Sequence, residues 1–278
     1  MITFWQALSI NPFLSVALFA GLAAAFASGI VGPYVVSKRI VFISGSISHA
    51  VLGGIGLFVF LNYFTGMIIF TPLLGSLVSA MFFSLIIGAS HLYYKEREDT
   101  VIAAIWSFGM AIGVILIAVV PNTNTQLMDF LFGNLLWANG DDVKMLLCLD
   151  IFVLIVCLIF HKRFLAISFD ETQAYLQKQK VTLIYFILLT LVAVTVVLMI
   201  QTIGAILVIA MLCLPAAIAN LFTKQLSKMI CLSVTLSLLF TFIGIFLSYS
   251  FNWPPGATIA LTTSLIYFLS LPLKNRSI

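Results

Sequence analysis

The stretch VTLIYFILLTLVAVTVVLMIQTIGAILVIAMLCLPAAIANLFT, residues 181–223, contains no Asp, Glu, Lys or Arg. As a single helix it would run ~65 Å at ~1.5 Å per residue, about twice the hydrocarbon thickness of a bilayer. Length alone therefore forces a turn, which falls at Gln201 to Gly204, where two polar side chains precede a glycine. Each half is then a segment of ~20 apolar residues, the length at which a helix crosses lipid with its backbone hydrogen bonds satisfied internally.

Outward from this stretch the chain keeps the same character. Of its 278 residues, 63% are hydrophobic and 8% charged, and the mean hydropathy is +1.21. These values place it among membrane proteins and leave no stretch polar enough for a soluble domain. The predicted fold class is all-α, a polytopic transmembrane helical bundle forming one integral domain over residues 1–278.

Uncharged runs between breakers give nine predicted spans: 14–36, 46–64, 68–92, 101–120, 143–161, 182–200, 203–221, 229–250 and 256–273. A count of eight, with one segment re-entrant, is the alternative. The breakers are Asn62 to Gly66 with Pro72, the charged Lys95 to Asp99, Gln201 to Gly204, and the Asn252 to Gly256 turn. No charged residue precedes Lys38, so the first apolar segment is expected to stay in the protein. Small residues recur at helical spacing in Ala17, Gly21, Ala25 and Gly29 and in Gly109 and Gly113, the pattern that lets helices approach closely in lipid.

With nine spans, the alternate loops collect Lys38, Arg39, Lys95, Arg97, Lys162, Arg163, Lys178, Lys180, Lys224, Lys228, Lys274 and Arg276 on one side, leaving Lys144 opposite with Asp129, Asp141 and Asp142. By the positive-inside rule the amino terminus lies outside and the carboxyl terminus is cytoplasmic. The net charge of +4 is dispersed in these clusters and is no nucleic-acid signature. Cys148, Cys157, Cys213 and Cys231 form no C-x-x-C pair and read as packing residues.

Two ionisable groups fall at membrane depth, where they are costly enough to need a reason. His49 shares a helix face with Gly45, Gly53 and Gly56, beside Ser46 and Ser48, and that face predicts a channel-like gap. A lone imidazole can be a transit ligand for a transition metal, or it can simply bond a neighbouring helix. Asp150 either lines a path or pairs structurally. His91 and His161 read as interfacial, as do Trp5, Trp137 and Trp253. The segment SFDETQAYLQKQK, residues 168–180, reads as a surface helix or a solvated loop. The chain lacks G-x-x-x-x-G-K-[ST], H-E-x-x-H and G-x-S-x-G, so it neither cradles a nucleotide nor carries these hydrolytic centres.

The order of several segments resembles the permease subunits of zinc, manganese and iron ABC importers over nearly the whole chain. They are RIVFISGSISHAVLGGIGL from Arg39, the pair Asp99-Thr100, LFGNLL at 131–136, FDE at 169–171, GAILVIAMLCLPAAIANL at 204–221, and WPPGAT at 253–258. The resemblance implies a permease homodimer in the inner membrane, a cytoplasmic ATP-binding subunit and an extracytoplasmic metal-binding protein. It implies a transported divalent metal ion and no permanently bound cofactor. It also implies an ATPase-coupling region that takes in Leu212, Leu214, Pro215, Ala216, Asn220 and Thr223. Many members of that family carry an acidic residue four positions before the histidine, where this chain has Gly45, so either the metal passes His49 with fewer ligands or Ser46, Ser48 or Asp150 contributes to the pathway. The alternatives are an ABC permease for a metal chelate or cobalamin, and an ATP-independent secondary transporter. The latter usually needs more intramembrane charge than His49 and Asp150 supply.

Overall fold

The computed structural model describes residues 4–94, 98–121, 130, 133 and 135–272. Lys95, Arg97, Asp129, Lys274 and Arg276 of the charge pattern lie outside these residues, as do Leu131, Phe132 and Asn134 of LFGNLL. The described elements are helical: α1 (Phe4–Ile10), α2 (Pro12–Ser37), α3 (Val41–Thr65), α4 (Pro72–Ala89) with a π-turn at Ser90–Tyr94, α5 (Glu98–Val119), a 3-10 turn at Leu135–Trp137, α6 (Gly140–Phe169), α7 (Glu171–Leu176), α8 (Val181–Ile203), α9 (Ala205–Phe222), α10 (Leu226–Phe251) and α11 (Pro255–Ser270). The expected all-α bundle is what forms.

Eight of these helices are long and apolar enough to span a bilayer, and α11 is a shorter apolar helix. At 16 residues α11 measures ~24 Å against a hydrocarbon core of ~30 Å. Each predicted span thus has a helix, and the last is the one too short to cross unaided.

The helix boundaries follow from local chemistry. Asn11 caps α2 by accepting from the Phe13 N–H at 3.0 Å, with Pro12 in the first turn. Thr71 caps α4 in the same way through the Leu74 N–H at 3.3 Å, again followed by proline. Between α8 and α9 the backbone of Gly204 takes φ 80° and ψ 158°, a region open essentially to glycine. The turn that length demands in 181–223 falls there.

The chain divides into two compact units, and α6 and α8 contribute to both. The first comprises 1–39, 132–161 and 198–278; the second comprises 40–131 and 162–197. In the first, the small-residue stripe of α2 meets α10: a methyl group on Gly29 would sit 2.6 Å from Val234 Cα, and one on Gly21 would sit 3.0 Å from Thr241 Cγ2. Gly32 does the same against the Leu212 carbonyl of α9. At one end of this unit the Tyr34 hydroxyl and His161 Nδ1 are hydrogen-bonded at 2.7 Å, and His161 Nε2 and Ser227 Oγ at 3.1 Å. One imidazole thereby ties α2, α6 and α10 together.

In the second unit α3 is the axial helix. Gly53 meets Gly109 and Gly56 meets Gly113, backbone against backbone on α5, while Gly54 meets Gly75 on α4. Gly88 of α4 packs on Phe186 of α8. No side chain larger than hydrogen fits at these crossings, which is how helices gain dispersion contacts where lipid offers no hydrophobic drive.

A paired substitution tests this. Alanine in a helix is ordinarily favoured over glycine by ~1 kcal/mol, but a methyl on Gly109 would stand 2.5 Å from Ala50 Cα, whereas one on Gly45 would meet nothing within 4 Å. Gly109→Ala should lower stability by ~1–3 kcal/mol through overpacking, and Gly45→Ala should leave it unchanged or raise it. Thermal unfolding in detergent reads both, and equal effects would refute the close α3–α5 contact.

Candidate functional site

The site is built from α3 outward in the second unit. Its first turns carry ISGSISH, residues 43–49, in which serine and glycine keep the helix slim. Ser46 Oγ donates to the Ile102 carbonyl of α5 at 3.1 Å. Ser48 Oγ donates back to the Ser44 carbonyl of its own helix at 2.8 Å, a common way for a hydroxyl to be satisfied in an apolar helix. Both serines are buried, and their protons are committed to backbone carbonyls.

His49 is half-buried. Its Nδ1 is shielded from solvent and has no hydrogen-bond partner among the described residues. Its ring lies flat against the indole of Trp106 on α5, with centroids 4.4 Å apart and planes 6° from parallel. A buried polar atom left without a partner needs an occupant, and a water or an ion is the ordinary one. Neutral imidazole keeps one lone pair for a cation.

The glycine face predicted to line a gap is corrected here. Gly53 and Gly56 are closed by the α5 backbone, so they serve packing and not a path. Only at Gly45, one turn before His49, is room left: it is buried, yet a side-chain carbon there would touch nothing within 4 Å. Sequence periodicity puts all four residues on one face but cannot tell which of them a neighbouring helix covers.

Asp150 belongs to the first unit and His49 to the second. Asp150 is buried on α6, its carboxyl against the backbone of Ala27 in α2, and its Oδ1 has no hydrogen-bond partner among the described residues. No group of three or more His, Cys, Asp or Glu that could hold a metal occurs among the described residues. The arrangement is a single imidazole beside a small space, suited to a passing cation more than to a resident one. A cavity of about 530 Å³ in the first unit includes Asn11, Trp137, Tyr249 and Trp253 in its lining and, among the described residues, presents no carboxylate, imidazole or thiol.

The predicted coupling region occupies the second half of α9. Leu212, Pro215 and Ala216 are buried and Leu214 is partly so; Leu212 and Ala216 both face Gly32 of α2. Asn220 is exposed, as is Phe222, and Thr223 ends the helix, its hydroxyl accepting from the Gln225 N–H at 3.2 Å. Only the last turn of this region is on the surface of the chain. In the second unit, residues 168–180 do contain a helix, α7, capped by Asp170, whose carboxylate accepts from the Thr172 and Gln173 N–H groups at 2.8 and 3.0 Å. Glu171 lies 3.6 Å from His91 Nε2. Trp106 is the site residue the sequence reading missed; nothing in local sequence marks it apart from any other aromatic residue on an apolar helix.

The ABC 3 transport family model matches residues 11–274. The chain belongs to the ABC 3 transport family. Among other members, a probable metal transport system membrane protein of Chlamydia pneumoniae is 47% identical over 92% of this chain and 87% of its own length. The manganese import system permease protein ScaB of Streptococcus gordonii is 35% identical over 96% and 93%. The solved structure of PsaBC from Streptococcus pneumoniae in complex with Fab superposes with a TM-score of 0.83 at 31% identity, covering 96% of this chain and 94% of that one. An inward-facing putative metal-chelate type ABC transporter gives a TM-score of 0.69 over 98% and 91% at 14% identity, a likeness of fold alone. For a member of the ABC 3 transport family, eight long apolar helices make a multi-pass membrane protein.

The unpartnered carboxylate oxygen of Asp150 carries a prediction. The carboxyl keeps one backbone interaction at Ala27 and leaves Oδ1 unpaired; replacing it by an apolar group of similar size removes its desolvation cost, so Asp150→Leu should leave stability in detergent unchanged or raise it by up to ~1–3 kcal/mol. A fall in the unfolding midpoint would show that the carboxylate is engaged in a stabilising interaction.

Proposed function

We propose that this chain is the membrane-spanning permease subunit of an ATP-binding cassette importer that moves divalent transition metal ions into the cytoplasm. The observation that carries this reading is the family match over nearly the whole chain, together with relatives named for manganese transport at 33% and manganese import at 35% identity. The absence of a phosphate-cradling motif means that ATP is hydrolysed on a separate cytoplasmic subunit. An extracytoplasmic metal-binding protein delivers the ion, and two permease copies assemble in the inner membrane. In this orientation the amino terminus is outside and the carboxyl terminus cytoplasmic, in keeping with the basic loops.

The exposed end of α9, Asn220 to Thr223, followed by Lys224 and Lys228, is the part we assign to coupling with the ATPase. Leu212, Leu214, Pro215 and Ala216 support it from within. We assign His49 as the ion contact along the path, with Ser46 and Ser48 shaping its helix, and give Asp150 no part in it.

Manganese is the cargo favoured by the named relatives. Zinc or iron is the second reading, favoured by the donor chemistry, because imidazole suits those ions and harder oxygen donors suit manganese. The space at Gly45 separates the two. In liposomes holding the chain with its ATPase subunit and delivery protein, manganese and zinc accumulation should require ATP, and uptake without ATP would overturn the class. His49→Ala should cut uptake by ~10-fold or more at normal membrane abundance, by analogy with the loss of supporting metal contacts. Gly45→Asp has room for its first side-chain carbon, should cost ~1–3 kcal/mol of stability in the absence of metal because its carboxylate is buried, and should shift the manganese-to-zinc uptake ratio toward manganese. An unchanged ratio would remove Gly45 from selectivity.

A further inference from the structure

We propose that Trp106 is a positioning residue for the ion path: its indole face holds the His49 imidazole in one plane, so that an incoming divalent cation meets the ring edge-on along a fixed direction. The inference rests on the assignment of His49 as the ion contact.

Three observations support it. First, the two rings are nearly coplanar in orientation, 6° apart, with centroids at 4.4 Å. Metal ions bind imidazole in the ring plane, along a nitrogen lone pair. A face-stacked ring cannot rotate about its Cβ–Cγ bond without leaving the stack, so the indole fixes the direction in which that lone pair points.

Second, the indole is itself held. Its Nε1 donates to the Met110 sulfur one turn further along α5, at 3.0 Å. Its helix is fixed to α3 on both sides of the stack, by the Ser46 hydroxyl on the Ile102 carbonyl at 3.1 Å and by the backbone contact of Gly53 with Gly109. The stack therefore sits between two points where the spacing of the helices is set.

Third, the geometry is not that of an ordinary core contact. Trp106 is 40% exposed and His49 is only half-buried, so the pair is not sealed inside the core. What the indole supplies is orientation and an electron-rich face. When a divalent cation coordinates His49 the imidazole acquires positive character, and an indole face stabilises a cation lying over it. Leucine at position 106 would keep an apolar side chain and lose both effects.

Two measurements test the proposal. In the proteoliposome assay, Trp106→Leu should raise the KM for metal ~10-fold, the scale of a cation–π contact, with a smaller change in kcat. Trp106→Phe, which retains a ring face, should recover most of the loss. If His49→Ala lowers uptake while Trp106→Leu leaves KM at the wild-type value, the positioning role is refuted and the His49 assignment stands. If His49→Ala leaves uptake unchanged, it is the His49 assignment that has failed.

The second measurement does not depend on transport. In the full-length chain carrying Trp5→Phe, Trp137→Phe and Trp253→Phe, Trp106 is the sole fluorophore of its kind. Titration with cobalt or manganese, both paramagnetic, should quench its emission saturably. Further replacement of His49 by Ala should abolish the quenching. Quenching that is absent, or that survives the loss of His49, would overturn the proposal even if Trp106→Leu did not fold.

Discussion

The approach of α3 to α5 is the contact on which the candidate site depends. Gly53 against Gly109 and Gly56 against Gly113 bring two backbones together with nothing between them, and in a solvent as apolar as the side chains this dispersion contact is what drives the helices together. Its consequence is felt one and two turns away. With the helices this close, the Ser46 hydroxyl reaches a carbonyl on the opposite helix, and the His49 ring lies flat on Trp106. A wider crossing would leave the imidazole free to rotate, and the serine would bond its own backbone, as Ser48 does.

The same small-residue logic builds the first unit, where Gly21, Gly29 and Gly32 let α2 nest against α9 and α10. Polar contacts then fix its one end. The Tyr34–His161–Ser227 chain joins three helices next to the exposed last turn of α9. A hydrogen-bonded chain across three helices restricts the alternative packings open to them. The coupling role proposed for the end of α9 calls for a stiff support behind an exposed surface, and Asn220 and Phe222 are exposed.

Much of this was legible in sequence because the membrane leaves the backbone so few options. Charge-free runs of sufficient length must be helices, so the spans follow from counting, and the break at Gln201 to Gly204 follows from length before any glycine conformation is considered. The stripes Ala17 to Gly29 and Gly109 to Gly113 read correctly as packing faces because close approach needs small residues at helical spacing. The same reading failed at Gly53 and Gly56, which were expected to line a gap. A glycine face looks identical in sequence whether it meets a backbone or empty space; the partner helix decides, and its register is a tertiary fact. Trp106 was illegible for the related reason that its role depends on lying opposite His49, fifty-seven positions away.

The sparseness of donors around His49 is itself part of the chemistry. A closed set of three or four ligands would hold a transition metal too tightly to release it on the time scale of transport, and no such set exists among the described residues. On the path proposed for His49, a single imidazole would bind an ion weakly, and selectivity would have to come from geometry. That geometry is supplied by an indole on one side of the ring and by space on the Gly45 side, the one fixed by helix packing and the other left open by the lack of a side chain. Direction without strong binding is what a path needs at the point where an ion must be recognised and then let go.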